Sequence, residues 1–320
     1  MKKEAMMFLF GLVSVASFLL AFTMGPMLPF SLQSVHAGSE FEGRSIPPIV
    51  TTNWLAEHMN DPGVVIIDIR SDKAYAAGHI PGAVNVPMPS WIVKKNGLLL
   101  EVPEDTALFQ TLGSSGIAPN SKVVVVNTAN HPYPLADTAR VADMLIYAGL
   151  RNASVLSGGY DKWIKEKRPV SDAPSKPAPV AFKGKVRKEM FVTKKDVKAR
   201  LGKCTLMDAR TPDVYFGVVK EPFCARPGHI SGATCWPVPW MWTDDGAYKD
   251  IEAIKATARG VVGSDLSKEI IVYCGVGGYA AAAWFVLHDV LGYSNVKIYD
   301  GSAQEWTADP DAPVSVFVWE

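Results

Sequence analysis

Short unbroken apolar runs punctuate this chain at regular intervals: "VVIID" from Val64, "VVVV" from Val123, "TLMD" from Thr205 and "IIVY" from Ile270. Each is followed by a polar or glycine-bearing loop and, after the second and fourth, by a long apolar stretch of helical length. Runs of Val and Ile without polar alternation predict strands buried on both faces, and such strands alternating with helices predict parallel sheets in an α/β fold. Gly149 and Gly292 stand where the helices after the second and fourth runs should end, in C-cap positions that favour a residue without a side chain.

The pattern is written twice. "VVIIDIRSDKAYAAGHIPGAVNVP" (Val64 to Pro87) is echoed by "CTLMDARTPDVYFGVVKEPFCARPGHISGATCWP" (Cys204 to Pro237). Both carry a strand ending in Asp-x-Arg, then a tyrosine, then Gly-His-Ile-x-Gly-Ala and a further strand. The second copy holds about ten extra residues before its Gly-His-Ile, a surface insertion by the usual behaviour of loops. "ASVLSGGYDKW" likewise parallels "VKIYDGSAQEW". Between the copies, Arg168 to Lys185 is rich in Pro, Ser and Lys and reads as an extended linker. The organisation expected is a first domain at 45–167, a linker at 168–187 and a second domain of the same fold at 188–320.

The amino-terminal segment 1–37 falls outside this scheme. It has Lys2 and Lys3, an apolar stretch from Met6 to Met24, and Val35-His36-Ala37 in the form of a signal-peptidase site. An exported, periplasmic protein of a bacterial envelope is expected, with an uncleaved anchor as the competing reading and membrane contact only in that case. Lys+Arg and Asp+Glu each number 32, so no basic surplus is available for nucleic acid. The four cysteines are too few for a disulfide scaffold; Cys224 and Cys235 either pair or remain separate thiols. No zinc spacing, P-loop or strand-borne GxGxxG appears, so the sequence asks for no metal and no cofactor.

Chemistry concentrates at "IIVYCGVGGYAAAAWF". Cys274 follows a buried strand, where open α/β sheets place their ligands. Gly275, Gly277 and Gly278 allow positive φ and let backbone N–H groups crowd one point, and the next helix adds unpaired amides and a positive dipole end. A sulfur held there is expected as a thiolate of depressed pKa.

With these motifs in view, the chain resembles the tandem-domain rhodanese family of sulfurtransferases. "YAAGHIPGAVNV" (Tyr75 to Val86) matches that family's first signature, and "VKIYDGSAQEW" (Val296 to Trp306) its carboxy-terminal signature except at Ala303, where an aromatic is usual. The resemblance implies two rhodanese-like domains. It puts Cys274 at the nucleophile position, taking the outer sulfur of thiosulfate or a related donor as a persulfide and passing it to cyanide or a thiol. The loop residues Gly275, Val276, Gly277, Gly278, Tyr279 and Ala280 would surround the donor, with Arg226 and Arg210 as candidates for its anionic end. Gly275 and Val276 replace the Arg and Lys of many thiosulfate-preferring members and are closer to the Cys-Gly-x-Gly start of mercaptopyruvate sulfurtransferases, and Tyr279 replaces a usual Thr or Ser. The first copy has Asn127 at the nucleophile position, so the resemblance implies an inactive first domain that helps wall the cleft.

His79 and His229 suit acid–base work in principle, yet the same Gly-His-Ile occurs in the copy without a nucleophile, which favours a structural role. Asp68 and Asp208 read as turn residues bonding backbone. Trp236, Trp240 and Trp242 either line the cleft mouth or pack together. A cysteine phosphatase of this fold would need an arginine in the loop, and none lies between Cys274 and Ala283. A non-catalytic sulfur carrier or docking module in an envelope redox assembly is the second functional reading.

Overall fold

The computed structural model describes residues 44–320. Residues 1–37, expected as a signal or anchor segment, lie outside them.

Each copy builds a five-stranded sheet, and the strand order is the same in both. In the first, Ile49–Val50, Asn152–Leu156, Lys122–Val126, Val64–Asp68 and Val84–Asn85 lie side by side, all parallel. In the second the order is Phe191–Val192, Val296–Tyr299, Ile270–Tyr273, Thr205–Asp208 and Ala233–Cys235, again parallel throughout. The unbroken β-branched runs take the central places, where both faces are covered: Val123 to Val126 and Ile270 to Tyr273 are fully buried. Burial on two faces is the reason these strands carry no polar alternation.

The helix Gly278–Phe285 is buried along its whole length. A helix apolar on every side has to be enclosed. Its partner is the first domain's equivalent helix, Pro132–Tyr147, which packs along it. The run Ala280 to Ala283 keeps side chains short there, so the two backbones approach closely. A single hydrophobic cluster therefore runs through both domains, from Val123 and Leu145 on one side to Ala282, Trp284 and Phe285 on the other. The α-helix gives way to a π-helical turn at Val286–Val290, where the sequence had predicted an ordinary helix, before Gly292 closes it at φ 81°.

Residues 168–187 contain no helix or strand. They run along the first domain instead, with Ser171 N–H donating to His79 O at 2.9 Å and Val180 N–H to Gly113 O at 3.0 Å. Among the described residues no helix is long and apolar enough to cross a membrane.

Candidate active site

Cys274 stands directly after the central strand of the second sheet and before the buried helix. The Gly277 amide donates to its Sγ at 3.0 Å, and the amides of Val276 and Ala280 bond to it as well. The loop is held from behind by the segment after Val296–Tyr299. The Cys274 amide donates to Ser302 Oγ at 3.2 Å, Ala303 N–H to Cys274 O at 2.9 Å, and Gln304 N–H to Gly275 O at 3.0 Å. Ser302 adopts φ 52° to do this, a left-handed conformation that a non-glycine residue takes only when its surroundings compel it.

Only one of the three loop glycines is needed for its backbone angle. Gly277 has φ 97°, whereas Gly275 and Gly278 do not take positive φ. A Cβ at Gly275 would crowd two side chains, lying 2.5 Å from Glu221 Oε2 and 2.6 Å from Phe223 Cε2. Both of those side chains belong to the inserted segment of the second copy. Expected as a surface excursion, that insertion folds back over the cysteine loop.

The thiol is 2% exposed. Tyr279 lies at the same face of the loop, stacked on Tyr133 with ring centroids 5.0 Å apart and an angle of 12°. Their hydroxyls share a hydrogen bond. Tyr133 comes from the first domain, so the cover over the site is built from both halves. This enclosure corrects the expectation of a depressed thiol pKa. Burial pushes the Cys274 thiol up, and the nearby Glu221 carboxylate pushes the same way. The amides of Ala280, Val276 and Gly277 pull it down without overcoming the loss of water.

The equivalent place in the first domain has no such chemistry. Asn127 uses its side chain locally, Nδ2 donating to Pro134 O at 3.1 Å and Oδ1 accepting from the Thr128 amide at 2.8 Å.

Residues 51–166 and 193–309 each match the family model of the rhodanese-like domain. The chain belongs to the rhodanese family. It is 31% identical over 274 residues to the sulfur carrier protein TtuD of Thermus thermophilus, covering 81% of this chain and 93% of that protein. It is 29% identical over 278 residues to a Mycolicibacterium smegmatis protein named "Putative thiosulfate sulfurtransferase", covering 84% and 97%. Among solved structures, the anaerobic ergothioneine biosynthesis enzyme from Chlorobium limicola, in complex with trimethyl histidine, superposes with a TM-score of 0.75. That match is at 23% identity and covers 85% of this chain and 70% of that one, a likeness of fold.

Several residues of this rhodanese are placed differently from expectation. Arg226 does not turn towards the loop; its guanidinium donates to the carbonyls of Thr307 (3.1 Å), Asp309 (2.6 Å) and Ala312 (2.9 Å), tying down the carboxy-terminal segment. Arg210 is buried and clamped by Asp208, with a further bond to Gly228 O at 2.8 Å. Arg70 repeats that arrangement with Asp68 and Gly78 O in the domain that has Asn127 in place of the cysteine, which identifies it as scaffold. Asp68 and Asp208 thus bond the amide two residues on, as read from sequence, and also anchor an arginine. What Arg210 adds is a contact to Glu221 at 3.3 Å.

His79 and His229 each stack on a tyrosine at 3.7 Å and bond its carbonyl, a structural role in both copies. Trp236 and Trp242 are in the core while Trp240 is exposed. All four cysteines are free thiols, so Cys224 and Cys235 are not paired. The residues that sequence reasoning missed are Tyr133, Glu221, Phe223 and Ser302. The available signals were the insertion itself and the unusual Tyr279, whose partner only the packed helices identify.

Proposed function

We propose that this rhodanese transfers sulfane sulfur through a persulfide on Cys274, from thiosulfate or a related donor to a thiol or cyanide. The observation that carries the reading is the convergence of the Val276, Gly277 and Ala280 amides on the Cys274 sulfur. Once ionised, the thiolate attacks the donor's outer sulfur. The donor's S–S bond breaks, sulfite leaves with the electron pair, and the new S–S bond leaves an anionic outer sulfur beside those amides. Attack by an acceptor thiolate on that sulfur transfers it and restores the cysteine. Helix N-terminal and loop amides stabilise the anion in both states. The name of the Mycolicibacterium relative supports thiosulfate as donor class.

Incubation with donor should add the mass of one sulfur to the peptide bearing Cys274, and Cys274→Ser should abolish both that gain and thiocyanate formation from thiosulfate and cyanide. Turnover that survives in the variant would remove Cys274 from the mechanism. The enclosed thiol also favours a second reading as a sulfur carrier, since a persulfide covered by the tyrosine pair is protected from water and stray thiols. Slow release to cyanide with fast release to one protein acceptor would select it. Export belongs to the same proposal, and amino-terminal sequencing of the mature protein tests cleavage after Ala37.

A further inference from the structure

The cysteine loop offers an incoming molecule backbone amides and no cationic side chain. Gly275, Val276, Gly277 and Gly278 carry none, and the guanidinium groups around the site have other partners. Arg210 is shared between Asp208, Gly228 O and, at 3.3 Å, Glu221, and Arg226 is held by three carbonyls. Arg140, which reaches the loop from behind Gly277, is paired with Asp300 at 2.7 Å. Asp208 and Glu221 share the one Arg210 guanidinium, so two carboxylates against one cation leave the face of the loop negative. Both carboxylate oxygens of Glu221 lie against Gly275, within 2.5 and 2.8 Å of where its Cβ would be. The Glu221 charge acts on Cys274, Tyr133 and Tyr279 alike.

The segment that delivers this carboxylate is the insertion found only in the copy that carries the nucleophile. An unpaired dianion approaching the sulfur meets repulsion at short range in a poorly hydrated site, where charges act strongly. A cationic group meets the carboxylate and the aromatic faces of Tyr133 and Tyr279, both of which attract it. Repulsive elements of this kind are a standard route to specificity.

We infer that Glu221 is a specificity-determining residue that screens sulfur compounds by charge, favouring small persulfides and thiols whose non-reacting end is neutral or cationic and slowing, without excluding, transfer from the thiosulfate dianion. This rests on Cys274 being the sulfur-accepting atom proposed above, and it narrows the donor. In the favoured reaction the Cys274 thiolate attacks the outer sulfur of R–S–SH. The donor S–S bond breaks, R–S⁻ leaves with its electron pair, and Cys274 carries the new persulfide.

The test uses the full chain, with the modified cysteine located by peptide mass. Wild type and Glu221→Gln are alkylated with neutral iodoacetamide and anionic iodoacetate. The preference of Cys274 for the neutral reagent is expected to be about tenfold greater in wild type than in the variant. Glu221→Ala should reproduce that narrowing, which guards against a packing effect peculiar to glutamine. In parallel, Cys274 is loaded from thiosulfate and from cysteamine persulfide. Glu221→Gln should raise the thiosulfate rate about tenfold and leave the cysteamine persulfide rate unchanged or lower. An unchanged reagent preference, or an equal change with both donors, overturns the charge screen. A cysteine that shows the reagent preference but accepts sulfur from neither donor overturns the sulfurtransferase reading and leaves the screen standing.

Discussion

At Cys274, two opposed effects meet on one sulfur atom. Enclosure removes the water that a thiolate needs, while three amides supply part of what water would have given. Enclosure wins, and the groups that face the sulfur, Glu221, Tyr133 and Tyr279, add no positive charge. Alkylation of Cys274 by iodoacetamide should therefore climb with pH through neutrality and level off only above the midpoint of an ordinary exposed thiol. A plateau below that midpoint would show that the amides dominate. Ser302 is the other decisive single residue, accepting from the Cys274 amide and donating to Tyr299 O at 2.9 Å. Ser302→Ala leaves a buried amide without a partner and should cost about 1–3 kcal/mol in urea unfolding. Persulfide loading should slow in the same variant, because the loop loses its anchor.

At the scale of elements, the two packed helices decide how the thiol meets solvent. The helix Pro132–Tyr147 presents Tyr133 to Tyr279 at the mouth of the loop, and Tyr133 remains 57% exposed on its outer side. Tyr279 belongs to the buried core cluster, so Tyr133 is the member of the pair that faces solvent. Stacked aromatic pairs contribute about 0.5–1.5 kcal/mol, so Tyr133→Ala should raise the open population and speed Cys274 alkylation at fixed pH by up to about tenfold. An unchanged rate would mean that access runs elsewhere.

Across the whole molecule, the first domain's hairpin of Val93–Lys95 and Leu98–Glu101 and its helix Pro132–Tyr147 meet the second domain's loop-holding segment in a partly buried polar seam. Gln304 exchanges two hydrogen bonds with the Leu99 backbone, and the Val102 amide donates to Asp300 Oδ2 at 3.1 Å. Arg140, fully buried, completes the seam with Asp300 and the Leu100 carbonyl. Arg140→Met strands the Asp300 charge and should cost about 3–5 kcal/mol, with much of the loss recovered in an Arg140→Met, Asp300→Leu double variant. Thermal melts of the three proteins test this directly.

Glu101 in the same seam is raised from 4.5 to about 7, first by burial and then by the Asp300 charge. The folded state keeps this proton when the unfolded chain has lost it. The group's contribution is thus fully present below pH 4.5 and is lost as pH rises towards about 7. Glu101→Gln should flatten the fall in melting temperature across that window relative to wild type.

The duplication, the parallel sheets and the position of Cys274 were legible along the chain because they depend on local order. A β-branched run buries itself on both faces wherever it sits, and a glycine loop between strand and helix directs amides to one point. The neighbours of that point were not legible, since Tyr133, Glu221 and Asp300 reach it from segments far apart in the chain. The roles of Arg210 and Arg226 were hidden for the same reason: a guanidinium looks identical in sequence whether it faces a substrate or three backbone carbonyls. What the sequence determined by itself is that a cysteine lies among backbone donors in one of two like domains. Only tertiary packing decided how that sulfur is charged and covered, because burial and Coulomb forces act on distance through space and not along the chain.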